Sequence, residues 1–252
     1  MGLLLLHAGT PGLNIINPNT LNPFWHLTAE SITYNSITNL YGVFPAPVTG
    51  DGDGVEAMQD YGSAGVYSPA QSTVARKAIY KANILGGKGI LRADQVDDRY
   101  LLVTPLPGAN WNSFSLFVVM KANAASALFG VGATPAEDGA FTYRTNAAGK
   151  PEVLRGFVES LATGTNALPS GSFSLSEVHY DGATFSFFTN GVANGTTSIS
   201  RTFSVAGTGF FQEAGFTLFG GDFRELYALP LLTGTQILGV RNYINAYCGG
   251  LF

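Results

Sequence analysis

Hydrophobic and polar residues alternate cleanly in SFSLFVVMK, Ser113 to Lys121, which sets Phe114, Leu116, Val118 and Met120 on one face. A period of two is the mark of a half-buried β-strand. Runs of the same kind recur at short intervals, and they predict strands at Ser126 to Val131, Ala140 to Arg144, Glu152 to Val158, Ser172 to Tyr180, Thr184 to Thr189, Val192 to Ser198 and Phe216 to Phe219. Asp181-Gly182 and Asn190-Gly191 separate three of them. Such dipeptides fill the positive-φ positions of two-residue hairpins, so Ser172 to Ser198 reads as an antiparallel meander. Short strands closely spaced in this way predict an all-β sandwich or jelly roll.

The ending, GGDFRELYALPLLTGTQILGVRNYINAYCGG, changes period. Phe223, Glu225, Tyr227 and Leu229 alternate with Asp222, Arg224, Leu226 and Ala228 as a strand that Pro230 stops. Thr233 with Gln236 three residues later forms the signature of a capping box. Beyond it Ile237, Val240, Ile244 and Tyr247 recur at helical spacing, and Gly249-Gly250 supplies a stop. One short amphipathic helix is therefore expected to lie against the sandwich.

The beginning follows neither period. After a short strand-like run at Leu3 to His7 comes PGLNIINPNTLNPFWHLTAES, in which Pro11, Pro18 and Pro23 forbid a continuous helix or central strand. The pattern predicts an extended arm over residues 1–36, anchored by Phe24, Trp25 and Leu27, and a sandwich domain over residues 37–252. Such an arm docks on its own sandwich or on a neighbouring subunit.

Composition narrows the class. Charged residues are only 12% of the 252, while Gly (32) and Phe (18) are abundant, which suits a turn-rich, aromatic-packed β protein. Thirteen basic against seventeen acidic residues give a net charge of −4 with no Lys/Arg cluster, so no nucleic-acid partner is expected. No run approaches the roughly 18 apolar residues of a membrane span, and MGLLLLHAGTPG lacks the basic flank and apolar length of a signal peptide. Cys248, the lone cysteine, falls in the last helical turn and is read as a buried thiol.

Candidate chemistry is sparse. Asp51, Asp53, Glu56 and Asp60 cluster on glycine-permitted turns, the setting hard cations take. The third ligand position of an EF-hand holds Val55 and no Glu stands at the twelfth, while Asp-Gly pairs are also ordinary turn chemistry, so these are calcium candidates only and no cofactor is expected. His179 shares a strand face with Leu175 and Glu177 and reads as a satisfied sheet residue. There is no G-x-S-x-G elbow and no HExxH. The nearest pair of carboxylates for glycoside cleavage, Asp222 and Glu225, would point to opposite faces of a regular strand. No enzyme activity is expected. Tyr61, Tyr67, Trp111 and Tyr143 are candidates for the aromatic platform of a glycan-binding surface, against the ordinary role of such rings in a core.

Three stretches together carry a resemblance. VTGDGDGVEAMQDYGSAGVYSPAQSTVARKAIYKAN, ILRADQVDDRYLLV with Asp97-Asp98 and Tyr100-Leu101, and FRELYALPLLTGTQILGVRNYINAYCG occur in the order found in concanavalin A-like, laminin-G-type jelly-roll domains of bacteriophage structural proteins and bacterial surface proteins. Ala93 and Gln95 depart from that pattern, as does Gly62-Ser63. The resemblance implies a concanavalin A-like β-sandwich with a C-terminal helix. It further implies a non-enzymatic virion protein of a tailed phage, a capsid decoration or a tail component. Such a protein would be made in the host cytoplasm, form homo-oligomers, and contact other virion proteins through Phe24, Trp25 and Leu27. The rival expectation is a carbohydrate-binding module.

Overall fold

The computed structural model describes residues 14–29, 32–33, 51–52, 54–55, 57–58, 61, 69–94, 96–106, 108–122, 127–131, 141–155, 159–203, 207–210, 212–213 and 217–252. Eight strands form the larger sheet: β1 (Trp25–Thr28), β2 (Ile79–Leu85), β3 (Lys88–Asp94), β4 (Phe114–Ala122), β5 (Ser174–Tyr180), β6 (Thr184–Thr189), β7 (Val192–Ser198) and β8 (Gly220–Pro230). Their order is β7-β6-β5-β4-β8-β3-β2, all antiparallel, with β1 also on β8. The expected meander is β5-β6-β7. Asn190 and Gly191, at φ 52° and 75°, make its second turn, and Asp181 fixes the first by accepting bonds from the N–H groups of Ala183 and Thr184.

The second layer consists of a four-stranded sheet, Glu159–Thr163, Pro151–Arg155, Phe141–Thr145 and Ala127–Val131, and a five-stranded sheet that includes Tyr100–Leu106. Alternation puts Leu116, Val118, Met120, Val178, Tyr180, Phe185 and Phe187 of the large sheet against Phe141, Tyr143, Val153 and Leu161 of the second layer. The chain is thus the sandwich that its period-two runs predict. Asn194 of β7 closes one side, bonded to the backbone of Asn166 in both directions.

Helix α1 (Gly234–Tyr247) lies on the outer face of the large sheet. The capping box is present: the Gln236 N–H donates to the Thr233 hydroxyl, and the Thr233 N–H donates to the Gln236 side chain. Val240, Ile244 and the Cys248 thiol are buried against Phe117, Val119, Leu175, Tyr227 and Leu229. Among the described residues no helix is long and apolar enough to cross a membrane.

Of the two dockings expected of the N-terminal segment, its described residues take the one on their own fold: Asn14 and Ile16 are laced to α1, with the Ile16 N–H donating to the Gly239 carbonyl (3.0 Å) and the Asn242 amide to the Asn14 carbonyl (2.7 Å). A Cβ on Gly239 would fall 2.5 Å from Ile16, so only glycine permits this approach. After a short 3-10 turn, Pro18–Leu21, the chain becomes β1, paired with β8 from Trp25↔Ala228 to Thr28↔Glu225. Phe24 meets the Trp111 ring edge-on at 5.2 Å, and Leu27 is fully buried. Leu27 is therefore a core residue of its own chain, Phe24 packs partly buried against the same core, and β1 belongs to the sandwich. Of Trp25 only the backbone is described, as the first residue of β1. Strand pairing wins over the Pro and Asn content because the prolines lie outside the four residues that form the ladder.

Candidate functional site

The outer face of the large sheet carries most of the buried charge. Its key residue is Arg224, where β8 takes one extra residue against β4: Phe223 pairs with Met120 and Glu225 with the very next residue, Val119. A bulge reverses the alternation beyond it. Phe223 stays in the core, Glu225, Tyr227 and Leu229 turn outward, and Asp222 and Glu225 come to the same face. The strand-parity argument against this pair therefore fails on the actual backbone.

Burial and pairing decide the matter instead. Asp222 is 1% and Glu225 3% exposed, so a glycosidic bond reaches neither. Asp222 accepts two bonds from Arg92 (2.7 and 3.0 Å) and lies 2.8 Å from the Lys121 ammonium. Burial alone would raise its pKa, but the bonds and charges of Arg92 and Lys121 outweigh it and hold the carboxyl below the ordinary range. Glu225 is bonded to His26 (3.1 Å) and accepts from the Tyr227 hydroxyl, whose own pKa is driven up by burial and by this carboxylate. On the far side of α1, Glu177 is gripped by Arg241 at 2.8 and 3.0 Å and by His179 at 3.3 Å, with the guanidinium over the Phe188 ring. His179 is thus a buried sheet residue paired through Nε2 alone, its Nδ1 being buried without a hydrogen-bond partner.

The glycan candidates separate sharply. Trp111 is buried, stacked at 4.3 Å on Phe141, and Tyr143 is buried with its hydroxyl bonded to Ser176. Both are core rings, as aromatics in a sandwich commonly are, and neither can meet a sugar. Tyr67 lies outside the described residues. Tyr61 is 48% exposed. Its N–H donates to the His26 carbonyl (2.9 Å), and its ring lies 5.7 Å from the His26 ring. His26 in turn stacks at 4.2 Å on Tyr227. Tyr61, His26 and Tyr227 thus form a file of rings running from solvent to the helix-side core, braced by Glu225. The bulge at Arg224 is what turns Glu225 and Tyr227 toward His26, and a sequence carries no direct mark of it.

The calcium candidates fare differently. Asp53, Glu56 and Asp60 lie outside the described residues, and Asp51 is occupied with the Ala82 N–H (3.1 Å) and Lys81 (3.5 Å). The carboxylates that do converge are Asp94, Asp97 and Asp98, one oxygen of each within 4.8 Å of the others. That spread suits a shared hard cation with ligands at about 2.4 Å. The D-x-x-D-D spacing just past a strand is the signal that marks them. Asp94 accepts from the N–H of Val96 (2.8 Å), and Asp98 from the N–H of Asp94 (2.9 Å). Burial, aided by the charges of Asp94 and Asp97 and opposed by that bond, pushes the Asp98 carboxyl up to about 6.

A carboxyl raised in this way is harder to ionise in the folded than in the unfolded chain, so stability falls as pH rises from about 4 through 6. Replacing Asp98 by Asn removes the effect and keeps the acceptor for Asp94. In chelator at pH 7, Asp98→Asn is expected to be more stable by up to about 2 kcal/mol, with the gain vanishing below pH 4. Urea unfolding at the two pH values measures this, and equal stabilities at pH 7 would refute it.

No family model matches the chain, and no curated protein matches it. Among solved structures it is similar to a CBM40 domain of Ruminococcus gnavus IT-sialidase bound to α2,3-sialyllactose (16% identity over 51% of this chain and 82% of that one, TM-score 0.43). It is also similar to domain 4 of AbnA, a GH43 extracellular arabinanase of Geobacillus stearothermophilus, in complex with arabinotriose (14%, 88% and 98%, TM-score 0.47). A third is the Trypanosoma rangeli sialidase (10%, 90% and 33%, TM-score 0.48). All three scores lie below 0.5, so the fold stands on the sheets and core described above, and the site on its own geometry.

Proposed function

We propose that this chain is a non-catalytic, glycan-binding β-sandwich module. The observation that carries it is Tyr61, an exposed ring backed by the His26 ring, which is itself bonded to Glu225 and stacked on Tyr227. Pyranose rings present a flat C–H face, and an aromatic platform that loses little freedom on binding is the economical way to hold one. The carboxylates most suggestive of hydrolysis are buried and engaged, which favours binding over cleavage.

The virion role implied by the sequence resemblance drew on an arm free to lock neighbouring subunits. Residues 14–29 of that arm pack on their own helix and sheet, and Ile32–Thr33 pair with Ala57–Met58, so the geometry favours the glycan reading. A glycan array followed by titration calorimetry tests it. The wild-type chain is expected to bind at least one sugar, and Tyr61→Ala to lose about tenfold in affinity or more with its melting temperature little changed. An array with no bound sugar, or a Tyr61→Ala chain that binds as well as wild type, overturns the reading.

A further inference from the structure

A second surface on the same sheet face has a different chemistry. Arg92 and Lys121 come from strands on opposite sides of β8, yet both converge on the single carboxylate of Asp222. Asp222 is almost wholly buried, whereas the Arg92 side chain is 47% and that of Lys121 29% exposed. A buried anion thus holds two cations in place at the surface while cancelling only one of their charges. Arg92 gives Nε and one terminal nitrogen to Asp222, which leaves its other terminal nitrogen free to donate. Lys121 Nζ has three donors and lies against Asp222 with one of the two oxygens.

Around them, the charge of Asp51 also acts on Arg92, but Asp51 lies 3.5 Å from the Lys81 ammonium, and further cations stand on this face. Arg224, wholly buried on the same face, donates to the Gly89 carbonyl and the Tyr247 hydroxyl, and Lys88 sits over the Tyr247 ring at 4.6 Å. Asp94, the next outward residue of β3 after Arg92, is turned into its own loop, where it accepts from Val96 and Asp97. Beside Lys121 stands the partly exposed ring of Phe173, its centroid 5.9 Å from the ammonium.

We infer that Arg92, Lys121 and Phe173 form a binding site for a carboxylate-bearing sugar residue. The carboxylate takes the outward donors of Arg92 and Lys121, and the apolar face of the ring lies on Phe173. A guanidinium fixed in advance by Asp222 loses little side-chain freedom on binding, which is the condition for a charged contact to add affinity at a wet surface. The site rests on the reading of the chain as a glycan-binding module, but not on Tyr61, which lies beyond β1, further along β8 than Arg92.

The test is titration of the full chain with polygalacturonate, with its fully methyl-esterified form, and with dextran sulfate of similar length. Polygalacturonate is expected to bind, with affinity falling as salt rises, and the neutral ester to bind at least tenfold more weakly. Arg92→Gln and Lys121→Gln should each lose about tenfold or more, and Phe173→Ala should weaken polygalacturonate binding. Arg92→Lys retains the charge on Asp222 and guards against loss of the fold, and it should recover only part of the affinity because the fork is gone. The inference is overturned if the ester binds as well as the acid, if dextran sulfate binds as well as polygalacturonate, or if a folded Arg92→Gln chain binds as wild type does. Loss of acid binding alongside intact, Tyr61-dependent binding of a neutral glycan would remove this site and leave the proposed function standing. Absence of both removes both.

Discussion

A chain that begins after Ala29 is expected to show no cooperative unfolding transition. The removed residues take with them the partner of residues 225–228 of β8, the buried Leu27, the Phe24 ring that closes over Trp111, and the lacing of Asn14 and Ile16 to α1. They also remove His26, one of the two side chains bonded to the buried Glu225 carboxylate, the other being Tyr227. A single Leu→Ala change in a core costs about 2–5 kcal/mol, and domains of this kind have only about 5–15 to lose. Losing the whole segment exceeds that margin. Near-ultraviolet circular dichroism, which reports the packing around Trp111, together with a thermal melt, measures the effect. A truncated chain that melts cooperatively within a few degrees of the full one would overturn the assignment of β1 to the core.

Arg241→Ala is expected to cost about 3–5 kcal/mol, because it strands the wholly buried Glu177 with only His179 beside it. The pair joins the middle of α1 to β5, so the same change also loosens the helix from the sheet. Adding Glu177→Gln to Arg241→Ala should restore most of the loss, since a buried amide is far cheaper than an unpaired buried charge. Urea unfolding of the wild type and the two variants measures this. A loss below about 1 kcal/mol in Arg241→Ala would mean that water reaches Glu177 and that the ion pair contributes little.

How much of this was legible in the sequence depended on how local the determining interaction was. The β5-β6-β7 meander could be read because its turns are set by Asp181-Gly182 and Asn190-Gly191. The helix could be read because its capping box and apolar stripe lie within fifteen residues. β1 could not: its four residues carry no alternation of their own among prolines and asparagines, and what makes them a strand is a partner such as Glu225, 199 residues from His26. The bulge at Arg224 was equally hidden, because the extra residue exists only relative to the register of β4. That one residue reverses which side chains of β8 meet, so Asp222 and Glu225, which parity sets on opposite faces, share one. Burial then separated core rings from surface rings. Trp111 and Tyr61 look alike in the sequence, and only their neighbours show that one is interior and the other exposed.

The division of β8 also governs the order in which the molecule can assemble. Its first residues pair with β3 and its later ones with β1, along the same edge. During synthesis β1 leaves the ribosome long before residues 225–228 exist, and until they do the backbone groups that it pairs with β8 have no strand to bond. The large sheet cannot close until β8 arrives, which makes its completion a late, long-range event of the kind that slows folding. A nascent chain halted before Arg224 carries β1 without its partner on β8, a segment for a chaperone to shield rather than a settled part of the fold.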